Sequence, residues 1–84
     1  MKTNYFDLIQ SDNWQDRIRG EYLELEDRIN KLTKMLEKYS SGTLQFKPNC
    51  SLELFTSQLN AMTSYLNILK LRLNIENIVL CPES

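Results

Sequence analysis

Apolar residues recur along two stretches of the chain at alternating steps of four and three, the spacing of a helix seam that faces one partner helix. In the first stretch the seam is Ile18, Tyr22, Leu25, Ile29, Leu32, Leu36 and Tyr39; in the second it is Phe55, Leu59, Met62, Leu66, Leu69 and Leu73. Opposite the first seam lie charges: Asp16, Arg19, Glu24, Glu26, Asp27, Lys31, Lys34, Glu37 and Lys38. The second stretch is different. From Leu54 to Leu69 it holds no charge, no proline and no glycine. A further row, Leu54, Ala61, Ile68 and Ile75, runs along another face, and Leu71 and Ile78 add a third apolar side. A helix apolar on several sides is buried on several sides, and one antiparallel partner covers only one of them. The pattern predicts an all-α fold: an antiparallel hairpin of two long helices that assembles into a homo-oligomeric helical bundle.

Punctuation sets the boundaries. Ser11, Asp12 and Asn13 are N-cap types, and Gln15 follows Asp12 at the spacing of a capping box, so the first long helix is expected over about 13–40. Gly42 marks its left-handed end. Pro48 keeps the connection, about 41–50, out of helix. Asn49 or Ser51 caps a second helix expected over about 51–79, and a tail of 81–84 contains Pro82. Residues 1–12 form an arm or short helix whose Tyr5, Phe6, Leu8 and Ile9 need cover. The arm is expected to pack on a neighbouring hairpin, or to place Tyr5 or Phe6 in a pocket between subunits. Gly20, off the seam, costs roughly 1 kcal/mol against Ala in a helix and marks either a close backbone approach or a bend. Asp27 and Lys31 stand four apart as a favourable pair.

Composition narrows the function. A chain of 84 residues is one domain, marginal without a staple or a partner. It has no histidine, and Cys50 and Cys81 sit at opposite ends of a helix about 40 Å long, too far apart to bond within one hairpin. Neither a zinc site nor an internal disulfide is expected. The formal net charge of −1 supplies no basic face for DNA or RNA. No stretch reads as a signal peptide or a membrane span. A reducing cytoplasm with free thiols is the expected setting. No nucleophile–base pair, Gly-rich elbow or phosphate loop is present. Glu24, Glu26 and Asp27 lie on a solvated face, so neither catalysis nor a cofactor is expected.

One end of the hairpin collects a different chemistry. Folding the chain back about Gln45 sets Arg17 across from the region of Leu73, next to Arg72, with Trp14 one turn outward and Tyr65 about two turns further in. Guanidinium forks hold phosphates and aromatic faces stack on bases. Arg17, Arg72, Trp14, Tyr65 and Tyr5 are therefore the candidate ligand-binding residues, for a small nucleotide or another compact anion. The competing reading uses the arginines in ion pairs alone, Arg17 with Glu21 and Arg72 with Glu76. Gln58, beside the seam, suits a role in fixing register.

The second helix resembles a family of small phage proteins, the crAss-phage-related helical hairpins. Their pattern, roughly L-L-x-x-Q-L-x-A-M-x-x-Y-L-x-x-L-x-x-R-L, is met here by Leu54, Gln58, Leu59, Ala61, Met62, Tyr65, Leu66, Leu69, Arg72 and Leu73. The first helix matches through Trp14, Arg17, Glu21, Leu25, Arg28, Ile29, Lys31 and Leu32. Such hairpins are similar to the anti-CBASS sponges, compact homo-oligomers (hexamers in the best-known case) that sequester cyclic di- and trinucleotides made by bacterial immune systems. The resemblance implies a phage anti-defence protein of the host cytoplasm that captures a signalling nucleotide of CBASS or Thoeris type without turnover. The Tyr5–Phe6 arm and the loop from Thr43 to Cys50 lie outside it. The alternative from another class is a helical module that docks on a host or phage protein through the uncharged face. A coiled coil without a ligand is a third.

Overall fold

The computed structural model describes residues 5–80. In chain order it contains α1 (Tyr5–Ile9), α2 (Trp14–Ser41) and α3 (Leu52–Ile75), with no strand among the described residues. The two long helices return antiparallel and meet along the two expected seams.

Each end of α2 is closed by the residue type its backbone requires. Asn13, rather than Asp12, is the N-cap: its Oδ1 accepts from the Gln15 amide at 2.8 Å. At the other end Gly42 takes φ 77°, and the Thr43 and Gly42 amides donate to the carbonyls of Lys38 and Tyr39 at 2.9 and 3.2 Å, a Schellman closure. Ser51 caps α3 by accepting from the Leu54 amide at 3.1 Å.

α3 stops four residues sooner than the periodicity suggests, at Ile75 instead of Val79. Asn77 adopts φ 57°, a conformation that asparagine tolerates better than most side chains. The Ile78 amide donates to the Leu73 carbonyl at 2.9 Å, which turns the chain back on itself. Ile78, expected on an outer side of the helix, is instead folded into the core at 8% exposure. The returning segment is held from α2, where Arg19 Nε donates to the Val79 carbonyl at 2.7 Å and Arg19 Nη1 pairs with Asp16 at 2.7 Å. Cys81 and Pro82 lie outside the described residues; Cys50 is an exposed free thiol.

The core is thickest at the end where α2 starts and α3 stops. Ile18, Tyr22 and Leu25 of α2 pack with Leu69 and Leu73 of α3 and with Ile78 of the returning segment. Leu69 is fully enclosed at 0%. Toward the loop the hairpin has only two layers, and Tyr39 and Phe55 meet edge-on with ring centroids 6.4 Å apart.

The short α1 lies on α2 of its own chain. Gly20 makes this possible. A Cβ at that position would stand 2.8 Å from the Tyr5 carbonyl oxygen and 2.9 Å from the Ile9 amide nitrogen, closer than side chains come to backbone. Of the two readings of Gly20, close approach is the one realised. Gly20→Ala would gain roughly 1 kcal/mol of helix propensity but must push a backbone aside, a strain of about 1–3 kcal/mol. The expected result is a net loss of stability in urea unfolding together with release of α1; a stabilised variant would show that α1 is not held this closely.

α1 is also tied through a polar chain. Tyr5 donates to Asp27 Oδ2 at 3.3 Å, and Lys31 pairs with the same oxygen at 3.0 Å. The Lys31 hydrogen bond, with help from Tyr5, holds the Asp27 carboxyl below the usual carboxylate range, and Asp27 raises Lys31 above the usual lysine range. A lowered carboxyl contributes stability above its unfolded value of about 3.9 and loses it as pH falls through the folded value. A raised lysine contributes below about 10.4 and loses it as pH rises past its folded value. The Tyr5 ring signals in NMR should therefore stay constant across neutral pH and shift toward their unfolded positions below about pH 4. Asp27→Asn should remove that acid-side shift. The same shift in the variant would place its origin elsewhere.

Candidate functional site

The outward face of α3 carries a second complete seam. Leu54, Gln58, Ala61, Tyr65, Ile68, Arg72 and Ile75 follow one another at steps of four and three, and every one of them is exposed. Exposure is large for the aliphatic members, 58% at Leu54, 55% at Ile68 and 77% at Ile75. It is two parallel rows: the apolar row of the sequence pattern, and beside it Gln58, Tyr65 and Arg72, seven residues apart. Periodicity shows the apolar row because its members are alike. The second row mixes an amide, a phenol and a guanidinium, so no hydropathy pattern reveals it; only the helical phase, once α3 is fixed, puts the two together.

The five candidate ligand residues fall into two groups. Tyr65 and Arg72 share the open face of α3, two turns or roughly 10 Å apart along the axis. Tyr65 is 42% exposed. Arg72 makes no ion pair among the described residues, and the expected alternative partner Glu76 sits off the helix as its C-cap. Arg17, Trp14 and Tyr5 belong to the other group, around the start of α2. Arg17 does not pair with Glu21; its Nη1 donates to the carbonyls of Ser11 and Asp12 at 3.0 and 2.9 Å, tying down the turn between α1 and α2. Trp14 opens α2 and is 46% exposed. Tyr5 directs its hydroxyl to Asp27. No hydrogen bond, ion pair or ring contact among the described residues joins Trp14 or Arg17 to Tyr65 or Arg72.

The chemistry of the α3 face follows from its parts. An arginine without a carboxylate partner keeps its fork of donors for an incoming anion, which it can hold bidentately. The phenol ring offers a flat apolar surface for a base, and the aliphatic row keeps water sparse around both. An exposed helix is a wall, not an enclosure, so a single hairpin presents one side of such a site. The concave surfaces elsewhere lie toward the loop end of the hairpin. A shallow groove of about 510 Å³ between Thr33, Leu36, Glu37, Ser40, Ser41 and Leu59 has Glu37 as its only charge. A smaller one of about 330 Å³, lined by Tyr39, Gly42, Leu44, Gln45, Phe46, Lys47 and Pro48, is formed by the interhelical loop.

No curated protein and no solved structure matches the chain. A family model does: Sequestin, over residues 12–75. The match begins at Asp12, one residue before the cap of α2, and ends on the last residue of α3, so it takes in both seams of the hairpin together with Trp14, Arg17, Tyr65 and Arg72. Spanning most of the sequence, it shows that the chain belongs to the Sequestin family.

Proposed function

We propose that this protein binds and sequesters a cyclic nucleotide immune second messenger, of CBASS or Thoeris type, without turning it over. Family membership points to a nucleotide-sequestering phage protein. The observation that carries the finer reading is that Tyr65 shares the exposed outer face of α3 with Arg72, which has no ion-pair partner among the described residues. Arg72 holds a phosphate and Tyr65 stacks on a base, while Trp14, Arg17 and Tyr5 supply contacts from the α2 end of an adjoining protomer. Capture then takes place between subunits of a homo-oligomer in the bacterial host's cytoplasm, a hexamer if it follows the best-known sponges. The protein works by stoichiometry: each bound messenger is one that cannot reach its effector.

Native mass spectrometry tests this with the purified protein and a panel of cyclic di- and trinucleotides and cyclic ADP-ribose isomers. The expected result is a defined oligomer that gains whole ligand masses. The second reading, a helical module that docks on another protein, draws on the same apolar face; it expects a monomer or dimer that ignores the panel.

A further inference from the structure

We infer that the loop between α2 and α3 carries a separate ligand site, for a planar aromatic ring that bears a phosphate, the chemistry of a nucleoside monophosphate. The site does not rest on the α3 face. The loop stands at the start of α3, about 20 Å along the axis from Tyr65 and about 30 Å from Arg72. Two adjoining hollows form it, of about 330 and 270 Å³, with Leu44, Gln45 and Phe46 lining both. The first is walled mainly by Tyr39, Leu44, Phe46 and Pro48 and suits a ring. The second adds Lys38 and Thr43 and suits a charged group. Small-ligand pockets span about 300–1,000 Å³ and are mostly apolar with a few polar groups. A ligand laid across the shared lining puts its base in the first hollow and its phosphate in the second.

Local chemistry fixes the walls. Gly42, at φ 77°, turns the chain out of α2. The Lys38 carbonyl accepts from the Thr43 amide at 2.9 Å and from the Ser41 hydroxyl at 3.2 Å, which occupies an acceptor at the negative end of the helix dipole that would otherwise oppose an anion. Tyr39 is braced by its edge-on contact with Phe55. Phe46, in contrast, remains 59% exposed, an aromatic face free to stack. Charge selects the substituent. Lys38 and Lys47 make no ion pair among the described residues. Glu37 and Glu53, in the helix turns that flank the loop, line neither hollow. A phosphate monoester carries about −1.5 to −2 at neutral pH, which answers two lysines, and lysine binds phosphate as a point charge.

Amide NMR of the labelled full-length protein tests the site, with adenosine monophosphate, adenosine and inorganic phosphate as probes. The monophosphate should shift the amides between Lys38 and Lys47 saturably, and added salt should weaken the response. Adenosine and inorganic phosphate, each satisfying one half of the site, should bind more weakly. Phe46→Ala should weaken the monophosphate by about 10-fold through lost stacking. Lys38→Gln/Lys47→Gln should reduce its affinity to that of adenosine. Both variants change exposed side chains and should keep the wild-type circular dichroism. No saturable change in the loop, wild-type affinity in Phe46→Ala, or equal affinity for inorganic phosphate would overturn the site. Arg72→Ala separates the two readings: its loop response should equal that of wild type, and loss of that response would overturn a separate site.

Discussion

Leu69→Ala should lower the unfolding free energy by about 2–5 kcal/mol, the range for emptying a fully packed leucine site. Among the described residues Leu69 is the one side chain enclosed completely, and it sits where α2, α3 and the returning segment all converge. The cavity has little means of collapsing, because Ile18, Tyr22, Leu25 and Leu73 around it are themselves fixed on two rigid helices. A hairpin of this size has only about 5–15 kcal/mol in hand at best, so the variant should unfold well below the wild-type urea midpoint. Leu54→Ala is the matched control. It removes the same atoms from an exposed position and should leave the stability of a dilute, dissociated chain nearly unchanged. Equal losses in the two variants would mean that the thick end of the bundle is not the seat of stability.

Arg72→Ala should weaken messenger binding by about 10–100-fold, the worth of a charge-assisted hydrogen-bonded contact of about 1.5–3 kcal/mol. Arg72 is exposed and makes no ion pair among the described residues, so the helical signal and thermal midpoint should be those of wild type. Arg72→Lys should recover only part of the affinity, because a point charge replaces the planar fork. Tyr65→Ala should cost about 1–3 kcal/mol through the lost stacking surface. Arg17→Ala is expected to behave differently. Its guanidinium already ties the Ser11 and Asp12 carbonyls, so the variant should lose stability as well as any contribution to binding. Full affinity in Arg72→Ala would remove the α3 face from the mechanism. Calorimetric titration of each variant measures all of these losses.

The hairpin was legible in the sequence because both of its causes are local. The alternating steps fix the facing sides of α2 and α3, and Asn13, Gly42 and Ser51 fix where those helices start and stop. The end of α3 was hidden: Asn74, Ile75, Glu76 and Asn77 all tolerate a helix, and only the burial of Ile78 decides for the left-handed turn. The docking of α1 was half visible. Gly20 announces that something approaches closely, but not that the approaching backbone comes from Tyr5 and Ile9 of the same chain. Among the candidate ligand residues, types were legible and placement was not. Whether an arginine is free or engaged depends on which carbonyls happen to lie within reach of its fork. Arg17 meets two of them, whereas Arg72 meets no acid among the described residues.

Capture without turnover is tested most directly by recovering the ligand. The purified protein is incubated with the messenger that adds mass to it, the free nucleotide is removed, and the complex is heat-denatured to release what it held. The expected result is the same cyclic nucleotide, chemically intact, in a fixed ratio to the protein and unchanged after prolonged incubation. Linear or hydrolysed nucleotide in the released fraction would contradict sequestration and make the protein an enzyme.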